Sequence, residues 1–243
     1  MERLDYIVGY KNLKIYQNSD YFSFSLDSIL LANFVNIRLG TRKIIDLGCG
    51  NAIIPIILSK RCSALIEGVE IQRSVFDLAV KSVEYNNLTS RIKLINDDMI
   101  NLKMRERCGV YNMVVSNPPY FPVNDKSIVN LKEEKMIARH EVKISFDKLV
   151  DIASFLLDNK GVFAMVHRCE RLLEIFSKLK KNNLEPKRIQ FVHCKDGEKA
   201  MFFLIEAVKN GKPGLIVEHP IILYDNDGKI KNEYSSLLEE VRK

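Results

Sequence analysis

Asn117-Pro118-Pro119-Tyr120 brings together two acceptors, two rigid rings and an aromatic face within four residues. A residue before proline is pushed out of the helical region toward extended backbone, so Pro118 extends Asn117. Pro119 holds its own φ at about −65°, and neither proline supplies a competing N–H. The Asn117 amide oxygen and the Pro118 carbonyl oxygen become two acceptors on a stiff turn. An exocyclic NH2, such as that of adenine, can donate one hydrogen to each. The lone pair of that nitrogen is delocalised into the ring. Two acceptors favour its pyramidal, electron-rich form and stabilise the positive charge that develops during attack, a preorganised electrostatic effect. Tyr120 offers a ring for the base to stack on, worth about 1–3 kcal/mol per base. The plainer reading is a rigid loop, since Asn-Pro and Pro-Pro are ordinary turn signals.

A second constellation suits a bound nucleotide-like ligand. Asp46-Leu47-Gly48-Cys49-Gly50 closes a short apolar run that starts at Lys43. Asn51 to Lys60 then shows helical apolar spacing, with Pro55 tolerated in the first turn. A strand, a glycine turn and a helix N-terminus bring backbone N–H groups against a ligand. The dinucleotide fingerprint requires a third glycine, where this chain has Ile53. Asp46 would also sit badly beside a pyrophosphate. It suits a ligand with a cationic amino-acid end, such as S-adenosylmethionine. Leu65 to Glu70 reads as a second strand ending on an acid. Glu70 follows the first acid at close to the ~20-residue spacing at which a carboxylate captures a ribose diol in a wound α/β sheet, or it is simply a solvated strand end. Arg91 to Asn96 ends on Asp97-Asp98. One of this pair can accept from the adenine amine of the cofactor while the other caps the loop, and the sequence does not choose between them.

The glycine turn, Glu70, Asp97-Asp98 and the proline tetrad together resemble a class I S-adenosylmethionine-dependent methyltransferase of the amino-N subgroup. More narrowly, the chain resembles the bacterial tRNA1(Val) adenine-37 N6-methyltransferases. The stretches 22–31, Ala138-Arg139-His140-Glu141 and Gly197-Glu198-Lys199-Ala200 through Leu223 to Gly228 carry the narrower likeness. The resemblance implies catalytic roles for Asn117, Pro118, Pro119 and Tyr120. It implies a cofactor site drawn from Ser25, Asp27, Asp46, Gly48, Cys49, Gly50, Glu70, Ile71, Asp97, Asp98, Met99 and Asn117. It also implies RNA contacts from Phe121, Lys126, Arg139, His140, Arg168, Lys195 and Lys199. The expected activity is N6-methylation of adenosine next to the anticodon of a valine tRNA, in the cytoplasm. Rival readings are a protein-glutamine methyltransferase acting on release factors, a DNA adenine or rRNA guanine methyltransferase, and a non-catalytic RNA-binding module on the same fold.

Composition permits this and excludes other classes. Of 243 residues, 47% are hydrophobic and 28% charged, as in an ordinary globular protein. No apolar run reaches the ~18 residues of a membrane span, and Met1-Glu2-Arg3-Leu4-Asp5 lacks the apolar core of a secretion signal. The five cysteines are scattered without a Cys-x-x-Cys pair, which argues against a disulfide framework or a zinc site. His140, His167, His193 and His219 have no metal-ligand spacing, so no metal is expected. The formal charge of +6 is mild. It allows a nucleic-acid partner because phosphate contacts need local patches. The stretch from Arg168 to Lys199, with nine basic and five acidic residues, is the densest basic excess.

These residues require elements that hold them. Residues 1–42 form a lead-in, with a hairpin around Gly9 to Tyr16 and a helix from Asp27 to about Ile37. Residues 43–210 alternate strand and helix, which predicts an α/β fold with a mostly parallel sheet covered on both faces. Further helices are expected over Ser74 to Tyr85, capped by Ser74, over Phe146 to Leu157, capped by Ser145, and over Glu170 to Asn182. Val162 to Val166 reads as a strand. Ile189 to Cys194 and Met201 to Val208 read as an antiparallel pair, which fits a Rossmann-like seven-stranded methyltransferase sheet with one antiparallel strand. Residues 211–243 form an appendage ending in a short charged helix. The glycine turn, Glu70, Asp98 and Asn117 all fall at strand C-termini, where open α/β sheets bind ligands. The stretch from Phe121 to Arg139 is expected to close over RNA. The oligomeric state is not legible.

Overall fold

The computed structural model describes residues 1–18, 26–105, 107–119, 146–225, 227–229 and 231. Its spine is a nine-stranded sheet. In chain order the strands are β3 (Lys43–Leu47), β4 (Leu65–Glu70), β5 (Ile92–Asn96), β6 (Tyr111–Ser116), β7 (Leu157–Arg168), β8 (Leu184–Lys195), β9 (Ala200–Lys209), β10 (Ile216–Val217) and β11 (Ile221–Tyr224). Seven of them lie in the order β5-β4-β3-β6-β7-β9-β8, and β10 and β11 both pair with β8 at the edge. Only β9 runs antiparallel to its neighbours. The expected seven-stranded sheet is therefore present, extended by two short strands from the region after Gly211. From β3 the chain steps outward to β4 and β5, then returns to place β6 on the other side of β3. That reversal opens a crevice beyond the C-terminal ends of β3 and β6.

Side-chain alternation in the strands builds two cores. Ile44, Met113, Val115, Ala164 and Val166 face one side, packed under α1 (Leu26–Phe34), α2 (Ile53–Arg61) and α3 (Arg73–Tyr85). Ile45, Leu47, Val114, Phe163 and Met165 face the other, under α4 (Phe146–Leu156) and α5 (Leu172–Lys181). Strands buried on both faces read as near-continuous apolar runs, and β3 shows this in Ile44 to Leu47, all fully buried. No helix among the described residues is long and apolar enough to cross a membrane.

The hairpin β1 (Glu2–Ile7) and β2 (Tyr10–Asn18) turns at Gly9, whose φ of 82° favours glycine. It docks on α3 through Tyr16 N–H donating to Ser82 Oγ at 2.9 Å and Lys14 N–H donating to Asn86 Oδ1 at 3.1 Å. Asn51 Nδ2 donates to the Tyr16 carbonyl at 3.2 Å, tying the hairpin to the glycine turn. α1 is held at its C-terminal end. Arg61 donates to the carbonyls of Ala32 and Val35, and Arg188 donates to that of Phe34 while lying 3.9 Å over its ring. Cations there complement both the orphan carbonyls and the helix dipole.

Three expectations need correction. α3 begins at Arg73, so Ser74 lies inside the first turn; the flanking residue is Gln72, without a side-chain cap. The Gln72 N–H instead donates to Glu70 Oε1 at 2.8 Å, so the strand-end acid takes over the capping task. α1 stops at Phe34, before Ile37, where the arginine side chains take its last carbonyls. The expected strand over Val162 to Val166 begins earlier, at Leu157, and takes in a bulge at Asn159-Lys160-Gly161. Leu157 pairs with Tyr111 and Val162 with Met113, and Lys160 adopts φ 69°. Ser145 and the expected C-terminal helix lie outside the described residues.

Candidate active site

The turn after β3 is built by its neighbours. Gly48 and Cys49 N–H groups both donate to the Val69 carbonyl, at 2.9 and 3.0 Å, and Gly50 N–H donates to Glu70 Oε2 at 3.0 Å. Gly48 and Gly50 adopt φ of 77° and 56°, where a side chain is strained. A Cβ added to either meets no atom within 4 Å, so both glycines face open space. Gly68 on β4 is different. A Cβ there would lie 2.8 Å from Cys49 Sγ, so this glycine makes room for the buried thiol.

Asp46 is fully buried, and neither carboxylate oxygen has a hydrogen-bond partner among the described residues. Burial pushes its carboxyl well above the usual range, and nearby Glu70 pushes the same way. A buried polar group without a partner costs about 1–3 kcal/mol, which makes this acid a candidate ligand-binding group. Glu70 is also buried and raised by desolvation, partly offset by the N–H groups of Gln72 and Gly50. It thus organises the turn, while its remaining lone pairs can serve a ligand. Burial also raises the Cys49 thiol well above its normal value, which makes it an inert packing group.

At the end of β5 the two aspartates divide. Asp97 Oδ1 accepts from Asp98 N–H at 2.8 Å and from Asn101 Nδ2 at 2.7 Å. Asp98 Oδ1 accepts from Ile100 N–H at 2.9 Å, capping the short 3-10 helix Met99–Arg105, and its Oδ2 has no partner among the described residues. Asn96 Nδ2 donates to the carbonyls of Glu70 and Ile71, at 2.8 and 3.2 Å, joining the ends of β4 and β5.

On the other flank, Ser116 Oγ donates to the Leu47 carbonyl at 2.8 Å, pinning the end of β6 to the end of β3. Asn117 follows, half-buried, and its Nδ2 donates to Ser28 Oγ at 2.8 Å. Ser28 lies in the first turn of α1 beside Asp27, and both are buried. The structure therefore brings Asp46, Gly48, Cys49, Gly50, Glu70, Ile71, Asp97, Asp98, Met99 and Asn117 to the strand C-termini or the residues directly after them. Pro118 and Pro119 lead out of this rim. Ser25, Tyr120, Phe121, Lys126, Arg139 and His140, together with the expected closing segment, lie outside the described residues. Ser28, Asn51, Gly68 and Asn96 were not singled out from sequence. Each acts through a partner distant along the chain, and only an Asn or Ser at a strand or helix end hints at it.

Several cations of the basic stretch have carboxylate partners. Arg171 and Lys178 pair with Glu174, Lys180 with Glu185, and Arg188 with Glu206. These cations are balanced internally. Arg168 ends β7, Lys195 ends β8, and exposed Lys199 lies in the turn to β9, so all three share the rim that carries Asn117. Asp196 and Glu198 share the β8–β9 turn with Lys195 and Lys199, and Glu170 follows Arg168, so acids and cations alternate on this side of the rim.

The strand order, with one antiparallel strand and a crevice between strand-end acids and a proline-locked amide, defines a Rossmann-like methyltransferase. A predicted O-methyltransferase from Agrobacterium tumefaciens has this fold, with a TM-score of 0.68, 19% identity and coverage of 87% of this chain and 94% of that one. The chain belongs to the methyltransferase small domain family, whose model matches residues 23–181. It is 26% identical over 189 residues to the tRNA1(Val) (adenine(37)-N6)-methyltransferase of Phocaeicola vulgatus, covering 78% of each chain. It is 23% identical to the enzyme of that name from Actinobacillus pleuropneumoniae, covering 89% of this chain and 87% of the relative.

Proposed function

We propose that this protein uses S-adenosylmethionine to methylate N6 of an adenosine in tRNA, at position 37 in the anticodon loop of tRNA1(Val). The observation that carries the reading is Asn117-Pro118-Pro119 leaving β6 beside a fully buried Asp46 that has no hydrogen-bond partner among the described residues, in a chain alignable over most of its length with relatives of that name. The residues fit the cofactor. Asp46 provides the buried counter-charge for a cationic amino-acid end, Gly48 and Gly50 admit it against the backbone, Glu70 accepts from a ribose diol, and Asp98 Oδ2 accepts from an adenine amine. S-adenosylmethionine, when bound, supplies an electrophilic methyl group.

The remaining chemistry belongs to the chain. Asn117 Oδ1 and the Pro118 carbonyl each accept one hydrogen of the target amine, which aims its lone pair and stabilises the charge that grows on nitrogen. Fixing that geometry supplies most of the rate. Tyr120 stacks the base. An anticodon-loop base is partly unpaired, so extruding it costs less than the few kcal/mol of flipping a duplex base. Arg168, Lys195 and Lys199, interspersed with Glu170, Asp196 and Glu198, are cations on the β6–β8 side of the rim that can each meet a phosphate. In this reading residues 1–42 are a lead-in that completes the cofactor pocket, 43–210 the transferase core and 211–243 an appendage.

The test is incubation with labelled S-adenosylmethionine and total unmodified tRNA, followed by mapping of the labelled nucleoside. N6-methyladenosine at position 37 of tRNA1(Val) is expected. Label recovered only in protein or in DNA would overturn the substrate class.

A further inference from the structure

At the pole opposite the rim, where the parallel strands begin, positive charge collects from parts of the chain distant in sequence. Four segments meet there: 38–43 leading into β3, 157–161 opening β7, 180–188 running from the end of α5 into β8, and 209–213 leaving β9. They hold ten of the chain's 37 basic residues and two of its 31 acids, so the formal charge of +6 is +8 over these segments and −2 over the rest. Hydrogen bonds join them into one surface. The N–H groups of Arg42 and Lys43 donate to Asn112 Oδ1 at 2.7 and 3.1 Å, and Asn112 Nδ2 donates to Asp158 Oδ2 at 2.6 Å. Asn210 donates from Nδ2 to Asn159 Oδ1 at 3.0 Å and from its N–H to the Asn183 carbonyl at 2.8 Å. Lys187 Nζ donates to the Lys212 carbonyl at 3.2 Å. β3 and β8 are four strand spacings apart, which makes this strip about 19 Å long.

Part of this charge has local work. Lys180 and Lys181 end α5, where cations complement the helix dipole. Lys180 also pairs with Glu185, and Arg188 pairs with Glu206 and Glu218. The other seven cations lie in loops and strand ends, and none has a carboxylate partner among the described residues. Arg42, Lys43, Lys160 and Lys212 are exposed. Like charges gathered in this way repel one another until an anionic partner arrives. A single small anion would meet one end of a strip this long, whereas a polyanion meets all of it. Arg38, Thr41, Asn112, Asp158 and Lys160 also line a cleft of about 220 Å³, whose hydrogen-bonding walls suit ribose hydroxyls as well as phosphates. Leu39 is the one large apolar side chain exposed in these segments, too little to anchor a lipid surface. We infer that this pole is a second RNA-binding surface, which holds by its phosphates the body of the tRNA whose anticodon loop lies at the rim. The inference rests on the function proposed above for the identity of the RNA. A base held at the rim is at the tip of a duplex arm, and β3, with five residues, is only about 17 Å long. The backbone behind the loop therefore reaches the pole along the flank of the sheet. Phosphate contacts of this kind position the RNA without reading its sequence.

The experiment removes three cations whose side chains make no hydrogen bond or ion pair among the described residues, in the triple variant Arg42→Gln, Lys43→Gln and Lys212→Gln. A charge-preserving counterpart carries Arg42→Lys, Lys43→Arg and Lys212→Arg. Kd for unmodified tRNA transcript is measured against salt from roughly 50 to 200 mM, a range over which phosphate contacts dominate the change, together with kcat and KM for methylation. The neutral variant is expected to bind tRNA about tenfold more weakly, with the slope of log Kd against log salt reduced by about 2–3. Its KM should rise in parallel while kcat at saturating tRNA stays within about twofold, and the charge-preserving variant should match wild type. An unchanged Kd and slope in the neutral variant, or an equal loss in the charge-preserving one, would overturn the inference. Sedimentation with phosphatidylglycerol vesicles runs alongside; vesicle binding lost in the neutral variant while tRNA affinity is kept would assign the pole to lipid and overturn it too. If wild type binds tRNA without methylating it, the functional proposal falls, and the salt slopes still decide whether this pole holds RNA.

Discussion

Replacing Asp46 by leucine should make the protein more stable and unable to bind its cofactor. The carboxylate is fully buried with no partner for either oxygen among the described residues, and Glu70 adds repulsion. Leucine has the same branched skeleton of side-chain heavy atoms and joins the apolar layer that holds Ile44 and Val115. Removing an unsatisfied buried polar group recovers about 1–3 kcal/mol. In a domain of this size each kcal/mol moves Tm by about 2–4 °C, so the cofactor-free variant should melt roughly 2–12 °C higher. Its advantage depends on pH with a definite sign. A carboxyl raised by folding stabilises the fold below its unfolded value of about 3.9, and that contribution is lost as pH climbs toward the folded value. The gap between variant and wild type should therefore widen from pH 4 toward neutrality. Thermal melts with and without S-adenosylmethionine provide the assay. At 100 times Kd the ligand stabilises wild type by about 2.7 kcal/mol, and the variant should show no such shift. A lower melting temperature for the free variant, or a retained ligand shift, would refute the view that Asp46 is a stability cost kept for cofactor binding.

Asn117→Ala removes one acceptor from the amine grip and should lower kcat by about 10²–10³, with cofactor Kd nearly unchanged by calorimetry; equal loss of both would make Asn117 structural. Gly68→Ala drives a Cβ to 2.8 Å from Cys49 Sγ and 3.0 Å from Leu94 Cδ2, so denaturant melts should show a loss of about 1–3 kcal/mol. Pairing it with Cys49→Ala should recover part of that loss, and strict additivity would mean the thiol is not the obstacle. His167 is buried and held neutral, its pKa lowered from 6.5 to about 4 chiefly by desolvation. The stability this gives is present at neutral pH and is lost as pH falls from 6.5 through about 4, a change of the order of 3 kcal/mol. His167→Gln should flatten the acid limb of a stability–pH curve over that window.

Much of this arrangement was readable in the chain because the signals were local. The apolar run at Lys43–Leu47 needed no partner to be recognised as a buried strand, and a glycine turn or an Asn-Pro-Pro corner constrains its own backbone. The acids at the ends of β3, β4 and β5 followed from those strands. What sequence spacing could not give was pairing at a distance. Ser74 looked like a helix cap, but Glu70 from the preceding strand end reaches the Gln72 N–H first. Asp97 and Asp98 read alike in the chain, whereas in the structure Asn101 Nδ2 donates to Asp97 and Ile100 N–H to Asp98. Arg171, Lys178 and Arg188 looked like part of a basic patch until their carboxylate partners were seen. Gly68 read as an ordinary strand residue, since its neighbour Cys49 belongs to a different strand's turn.

The guanidinium grip on the tail of α1 has a consequence well beyond that helix. With Arg61 supplied from α2 and Arg188 from β8, the tail is moored to both halves of the molecule, while its head carries Ser28 and Asp27. Damage to either mooring would tilt a rigid rod and be felt at its opposite tip. Screens for impaired catalysis should therefore return lesions at these arginines, far from any reacting atom, and such lesions would mark a transmitted displacement and not a second site.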